Sequence, residues 1–218
     1  MADLFDQQKK RCNVRVIKVF VIMLLELSFK VVLASASPRR KEILEEIISD
    51  FLIVPADIDE TIQPDWEQER IAEELASLKA AAIAKQFGDQ DCIIGADTIV
   101  VLNGQVLGKP EGQKEAIEML TLLQGSTHNV YTGICLLYQN QCYKFTECTG
   151  VTFRSMEAKE IGAYINEYKP YDKAGAYGIQ DWVGTTVIEE IHGSYTNVKG
   201  LPSAPLYKKL KGLNNAGN

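Results

Sequence analysis

The stretch LASASPRRKEIL, residues 33–44, sets Arg39 and Arg40 side by side in what reads as the first turn of a helix. The partial charge at a helix N-terminus is positive, so each arginine there costs roughly 0.3–1 kcal/mol unless something negative sits nearby. The surrounding residues suit an anion. Ala34, Ser35 and Ala36 let a ligand approach the backbone, and Ser35 and Ser37 bring hydroxyl groups. A helix N-terminus adds unpaired N–H donors. Arg39 or Arg40 could fork onto phosphate oxygens. The alternative is that both point into solvent or pair with Glu42 and Glu45.

A second constellation is acidic and basic together. GADTIV places Asp97 and Thr98 inside an apolar run that includes Ile93, Ile94, Ile99 and Val100. A carboxylate there needs a partner to offset desolvation, and a metal ion, a lysine or a water to be deprotonated would serve; a structural ion pair is the plainer alternative. ADIDE puts Asp57, Asp59 and Glu60 in a loop, where hard oxygen ligands suit Mg²⁺ together with substrate phosphates. Lys79 is the one charge in the alanine-rich LASLKAAAIA, and Lys109 lies in GKP. Either could be a surface lysine, and the Lys79 stem could simply snorkel. Together these residues form a parts list for a triphosphate and a metal. No P-loop is present: GQVLGKP is one residue short of the Walker spacing and ends in Pro110.

The elements that must position these residues can be read from periodicity and turn chemistry. KVVLAS, residues 30–35, predicts a buried strand, after which Ser37 can cap a helix and Pro38 suits its first position. Ile43, Leu44, Ile47 and Ile48 fall on one face of that helix. A strand-to-loop segment follows at FLIVPADIDET, and a helix is predicted over 66–87 with Ile71, Leu75, Leu78 and Ala82 facing the core. Residues 92–110 read as a strand, an Asn103-Gly104 turn and a return strand. A helix at 113–125 is ended by Gly125, and two long strands surround a turn near Asn140. Another helix stops before Pro170, a strand spans 185–191, and a helix over 204–213 closes the pattern. Alternation of helices and strands, then strand hairpins, argues for an α/β fold with a mixed β-sheet flanked by helices.

Composition narrows the function. With 218 residues, 46% hydrophobic, the chain supports a substantial core. A net charge of −6 argues against a general nucleic-acid surface. Five cysteines form no CxxC and only two histidines are available, so a zinc site is not expected and reduced thiols of a cytosolic protein are. The apolar run at 19–25 is far shorter than the ~20 residues that span a membrane. Residues 1–30 read as an extension that packs as an extra helix or strand rather than as a targeting signal.

LASASPRRKEIL, IDET, LASLKA, GADTIV, GKP, VYTG, YDKAGAYGIQ and GSYTNVKGLP, in this order, closely resemble the Maf family of nucleoside triphosphate pyrophosphatases. The resemblance implies a fold related to that of inosine triphosphate pyrophosphatases, a divalent metal cation (Mg²⁺ or Mn²⁺), and usually a homodimer. It implies a domain over 31–212, with 213–218 as a tail. Members acting on dTTP and UTP carry Arg, Thr and Gln at three specificity positions, matched here by Arg39, Thr98 and Gln180; the 7-methyl-GTP branch departs there. The family's catalytic aspartate matches Asp97. Glu60, Lys79 and Lys109 match its acidic and basic site residues, with Glu60 and Asp97 the implied metal ligands. Ser35 and Arg40 belong to its phosphate-binding loop. The extension at 1–30 departs from the usual pattern.

The expected reaction is hydrolysis between the α- and β-phosphates of a nucleoside triphosphate, with Asp97 accepting the proton of the attacking water. Two rival readings remain: a nucleotide-binding regulator of cell division with incidental hydrolysis, and an interaction protein docking through its apolar N-terminal segment.

Overall fold

The computed structural model describes residues 24–63 and 65–216 and is built on a seven-stranded sheet. Its strands are β1 (Val31–Leu33), β2 (Leu52–Ile53), β3 (Cys92–Leu102), β4 (Gln105–Leu107), β5 (Thr127–Tyr138), β6 (Gln141–Phe153) and β7 (Ile188–His192). The helices are α1 (Pro38–Glu45), α2 (Ile71–Ala84), α3 (Gln113–Leu123), α4 (Ala158–Tyr168), α5 (Trp182–Thr186), α6 (Tyr195–Lys199) and α7 (Ser203–Ala216). The strand order is β2-β1-β3-β5-β6-β7, with β4 also on β3. β1 pairs in parallel with β2 and β3, and the remaining pairings are antiparallel. This is the mixed, helix-flanked α/β sheet that the sequence pattern predicts.

Turn chemistry makes the two hairpins. Asn103 and Gly104 adopt φ of 49° and 83° between β3 and β4, and Gln139 and Asn140 adopt 50° and 59° between β5 and β6. Two successive positive φ values match the right-handed twist of the flanking strands. One edge of β3 is interrupted. That edge pairs with β1 over residues 92–94 and with β4 over 100–102, so among the described residues no strand lies beside 95–99 on that edge, while β5 pairs along the other.

α2 lies directly on β3 and β5. A Cβ at Gly95 would stand 2.0 Å from the Ala76 carbonyl oxygen, and one at Gly133 would stand 2.2 Å from the Ala72 carbonyl carbon. Ala72, Ala76 and Ala80, four residues apart, form the wholly buried stripe that meets these glycines. The buried face therefore carries Lys79, while Leu78 is 44% exposed and Ala82 is also exposed. This corrects the expectation that Leu78 and Ala82 face the core. In so alanine-rich a helix, the glycines opposite choose the buried face. The helix is also shorter than predicted, because Gln68–Arg70 form a 3-10 turn before it.

The strand predicted at 185–191 is corrected too. Thr185 and Thr186 belong to α5, and β7 starts at Ile188. Gly184 permits that helical turn to close on the preceding chain: a Cβ there would stand 1.6 Å from the Ile179 carbonyl oxygen. α7 extends to Ala216, past the boundary expected at 213.

Residues 1–23, which hold Cys12 and most of the apolar run at 19–25, lie outside the described residues. Leu25, Leu27 and Phe29 pack against the core formed by α1, β1, β3, β5 and α7, and Leu25 bridges to Ile48 in parallel. Among the described residues no helix is long and apolar enough to cross a membrane. Cys92, Cys135, Cys142 and Cys148 are free thiols.

Candidate active site

A cavity of about 400 Å³ opens where β3 lacks a neighbour on its edge. Successive strand residues face opposite sides of a sheet. Asp97 accordingly faces α2, and Thr98 faces the side covered by α1 and α6. With no strand beside them on the open edge, both reach the same opening.

On the α2 side, Lys79 forms the centre of a charged chain. Its ammonium contacts Asp97 Oδ1 and lies 2.7 Å from Glu60 Oε1; Lys109 Nζ lies 3.1 Å from Glu60 Oε2. The Lys79 and Asp97 side chains are only 8% and 10% exposed. Lys79 is thus neither a surface lysine nor a snorkelling one. Partial burial pushes the Glu60 carboxyl up, but the Lys79 and Lys109 ammonium groups outweigh it and hold its pKa down at about 2. Asp97 Oδ2 makes no hydrogen bond among the described residues, which leaves it free for water. Of the acidic loop, only Glu60 lines the cavity, while Asp59 is turned to the Thr61 N–H and hydroxyl.

On the other face Arg40 is the centre. Ser37 caps α1, with Pro38 at its first position. The Arg40 side chain folds back over that turn. Nε donates to the Gly200 carbonyl at 2.9 Å, Nη1 to Ser35 Oγ at 3.2 Å and Nη2 to Thr98 Oγ1 at 3.2 Å. Thr132 donates onward to the Asn197 carbonyl at 2.9 Å, which fixes the Thr98 hydroxyl as donor to Thr132 Oγ1, also at 2.9 Å. The result is a one-way relay, Arg40 to Thr98 to Thr132 to Asn197, of mutually polarising hydrogen bonds. Burial lowers the Arg40 pKa, an effect opposed by Asp97 and reinforced by Arg39. Ser35 Oγ accepts from Arg40 and from the Ser37 N–H at 3.2 Å, so its own hydrogen remains for a ligand.

Arg39 does not pair with Glu42 or Glu45. It reaches Asp172 at 2.7 Å, while Glu42 pairs with Lys199 at 2.9 Å and Glu45 with Lys41 at 3.5 Å. Of the two misplaced charges in the first turn of α1, Arg39 is paired with an acid brought from elsewhere in the chain, and Arg40 is held by neutral oxygen acceptors.

Residues 30–213 match the family model described as Maf-like protein. The chain belongs to the Maf family. A protein of Bacteroides fragilis named dTTP/UTP pyrophosphatase is 44% identical over 186 residues, 85% of this chain and 96% of its own length. Proteins of the same name from Clostridium perfringens and Clostridium novyi are 44% and 46% identical, covering 84% and 82% of this chain and 96% and 95% of their own. The solved Staphylococcus aureus Ham1 protein aligns with 84% of this chain and 99% of its own, at a TM-score of 0.48 and 17% identity.

Nine of the side chains named in the sequence analysis line this cavity in the Maf protein, namely Ser35, Arg39, Arg40, Glu60, Lys79, Asp97, Thr98, Lys109 and Gln180, whereas Asp57 and Asp59 do not. Asp172, Lys173 and Lys199 also line it, and none was singled out. Asp172 and Lys173 lie inside the YDKAGAYGIQ motif, which was the available signal. The Asp172 carboxyl is pushed up by partial burial but held at about 2 by Lys173 and Arg39. The cavity gathers six basic side chains against three acidic ones, an excess of three positive charges in a chain of net −6.

Proposed function

We propose that this Maf protein hydrolyses dTTP and UTP between the α- and β-phosphates, releasing the nucleoside monophosphate and pyrophosphate. The observation that carries this reading is the cation-rich cavity built around the buried Lys79–Asp97 pair. A polyphosphate is the small-molecule anion whose charge density matches it. The names of the relatives supply the base preference.

In this reading Lys79 and Lys109 hold triphosphate oxygens, and Arg40 and the Ser35 hydroxyl anchor phosphate beside the start of α1. Asp97 accepts the proton of the attacking water through Oδ2. Arg39, Thr98 and Gln180 read the pyrimidine. Of these, Thr98 already accepts from Arg40 and donates to Thr132, so it offers the base one remaining lone pair.

The donor set suits a hard divalent cation. The Asp97 and Glu60 carboxylates both meet the Lys79 ammonium and line the cavity, so these two would hold the ion. Carboxylate oxygens of this kind suit Mg²⁺ or Mn²⁺, which commonly use one or two carboxylates together with substrate phosphates. When bound, such an ion would supply neutralisation of charge on the phosphates and leaving group. A homodimer and a domain over 31–212, implied by the family resemblance, and a cytoplasmic location, expected from the cysteine usage, complete the proposal.

A panel of nucleoside triphosphates with Mg²⁺ or Mn²⁺ tests the proposal. Turnover strongest on dTTP and UTP supports it. Preference for 7-methyl-GTP, or tight nucleotide binding without turnover, would overturn it.

A further inference from the structure

Gln180 alone does not explain a preference for uracil or thymine. A terminal amide turned by 180° exchanges its donor and acceptor. With the base fixed, one orientation sets the carbonyl against an N3–H and the amine against a C4 carbonyl, which matches uracil and thymine. The other suits cytosine, with its N3 lone pair and C4 amine. Something must hold the amide one way round.

We infer that Asp181 is that positioning residue, fixing the polarity of Gln180 and through it the choice of base. The inference rests on the proposal that Gln180 reads the base. A carboxylate only accepts, so the amide atom 2.9 Å from Asp181 Oδ1 is Gln180 Nε2. Gln180 Oε1 makes no hydrogen bond among the described residues and, on a cavity-lining side chain, is left with the second Nε2 hydrogen for the base. Asp181 is itself anchored. The Tyr164 hydroxyl donates to Oδ2 at 3.0 Å and accepts from the Gly178 N–H at 3.1 Å, and Lys173 Nζ stands 4.0 Å from Oδ2. Tyr164 is 2% exposed, and the Asp181 side chain 13%. The backbone makes room for the pair: a Cβ at Gly178 would stand 2.5 Å from Gln180 Nε2 and 2.6 Å from Asp181 Oδ2. A buried tyrosine thus holds the carboxylate, and the carboxylate holds the amide.

The test compares kcat/KM for UTP and CTP in the full-length wild type and in Asp181→Asn, Asp181→Glu, Tyr164→Phe and Gln180→Ala. Asparagine keeps the shape but accepts or donates equally, so the UTP-to-CTP ratio falls by about 10-fold or more, chiefly through a gain on CTP. Glutamate restores a carboxylate and much of the ratio. Tyr164→Phe loosens the anchor and gives a smaller fall, and it carries the test if Asp181→Asn does not fold. A proportional loss on both nucleotides, with the ratio unmoved in both variants, would reduce Asp181 to a structural role and overturn the inference. If Gln180→Ala collapses the ratio while Asp181→Asn does not, base reading by Gln180 stands and the role of Asp181 falls. If Gln180→Ala leaves the ratio unchanged, base reading by Gln180 fails and takes this inference with it. Calorimetric Kd values for UTP and CTP on the same proteins report the ratio without turnover.

Discussion

Lys79 meets Asp97 because Gly95, two residues before the aspartate on β3, has no side chain. α2 descends onto the sheet at that glycine, and one turn of helix later the lysine stem delivers its ammonium to Asp97. The position of the charged cluster is thus set by an apolar contact between a helix and a strand.

Gly95→Ala therefore acts on both stability and site. Its methyl group would have to displace the Ala76 carbonyl, and overpacking of this kind costs about 1–3 kcal/mol. We expect a lower urea midpoint together with loss of triphosphate turnover. A wild-type midpoint in the variant would show that α2 is not seated on this glycine.

Lys79→Met removes the ammonium that Asp97 and Glu60 share. A buried charge that loses its partner is destabilising by about 3–5 kcal/mol. The double variant Lys79→Met/Asp97→Asn should recover part of that loss, because no buried carboxylate is then left unpaired. Strict additivity in a denaturation cycle would contradict the coupling.

Asp97→Asn tests the proposed base. The amide preserves shape, and Lys79 keeps its contact with Glu60. We expect kcat to fall by roughly 10²–10⁴ with KM little changed. Turnover like the wild type would remove Asp97 from that role.

His128 gives the fold a pH dependence separate from the cavity. It is 2% exposed, its Nε2 lies 2.8 Å from the Tyr177 hydroxyl, and Phe153 and Tyr177 pack edge-on against it. Burial lowers its pKa from 6.5 to about 4. Above pH 6.5 the ring is neutral in both folded and unfolded chains. Between pH 6.5 and 4 only the unfolded chain takes up the proton, so stability present above 6.5 is lost as pH falls, by up to roughly 3 kcal/mol. His128→Phe should flatten this slope in urea titrations at pH 7.5 and 4.5. An equal drop in both proteins would assign the effect elsewhere.

Local chemistry made much of the site legible. Asp97 and Thr98 stand out because they interrupt an apolar strand, and Arg39 and Arg40 because they oppose the helix dipole. The turns at Asn103-Gly104 and Asn140 are dictated by residues that accept positive φ. What stayed hidden depends on distant partners. Nothing within an alanine-rich helix distinguishes a buried Lys79 from a buried Leu78, since the decision lies with Gly95 and Gly133 on other elements. Trp182–Thr186 carries β-branched residues that favour a strand, yet Gly184 against Ile179 turns the segment helical. Asp172, Thr132 and Asn197 reach Arg39, Thr98 and one another only through topology, across 133, 34 and 65 residues of chain.

The bond that is cut decides the central claim. Full-length protein incubated with UTP and Mg²⁺, with products separated as pyrophosphate or orthophosphate, reads it directly. UMP and pyrophosphate in equal amounts are expected; UDP and orthophosphate would place cleavage at the terminal anhydride and refute α–β hydrolysis.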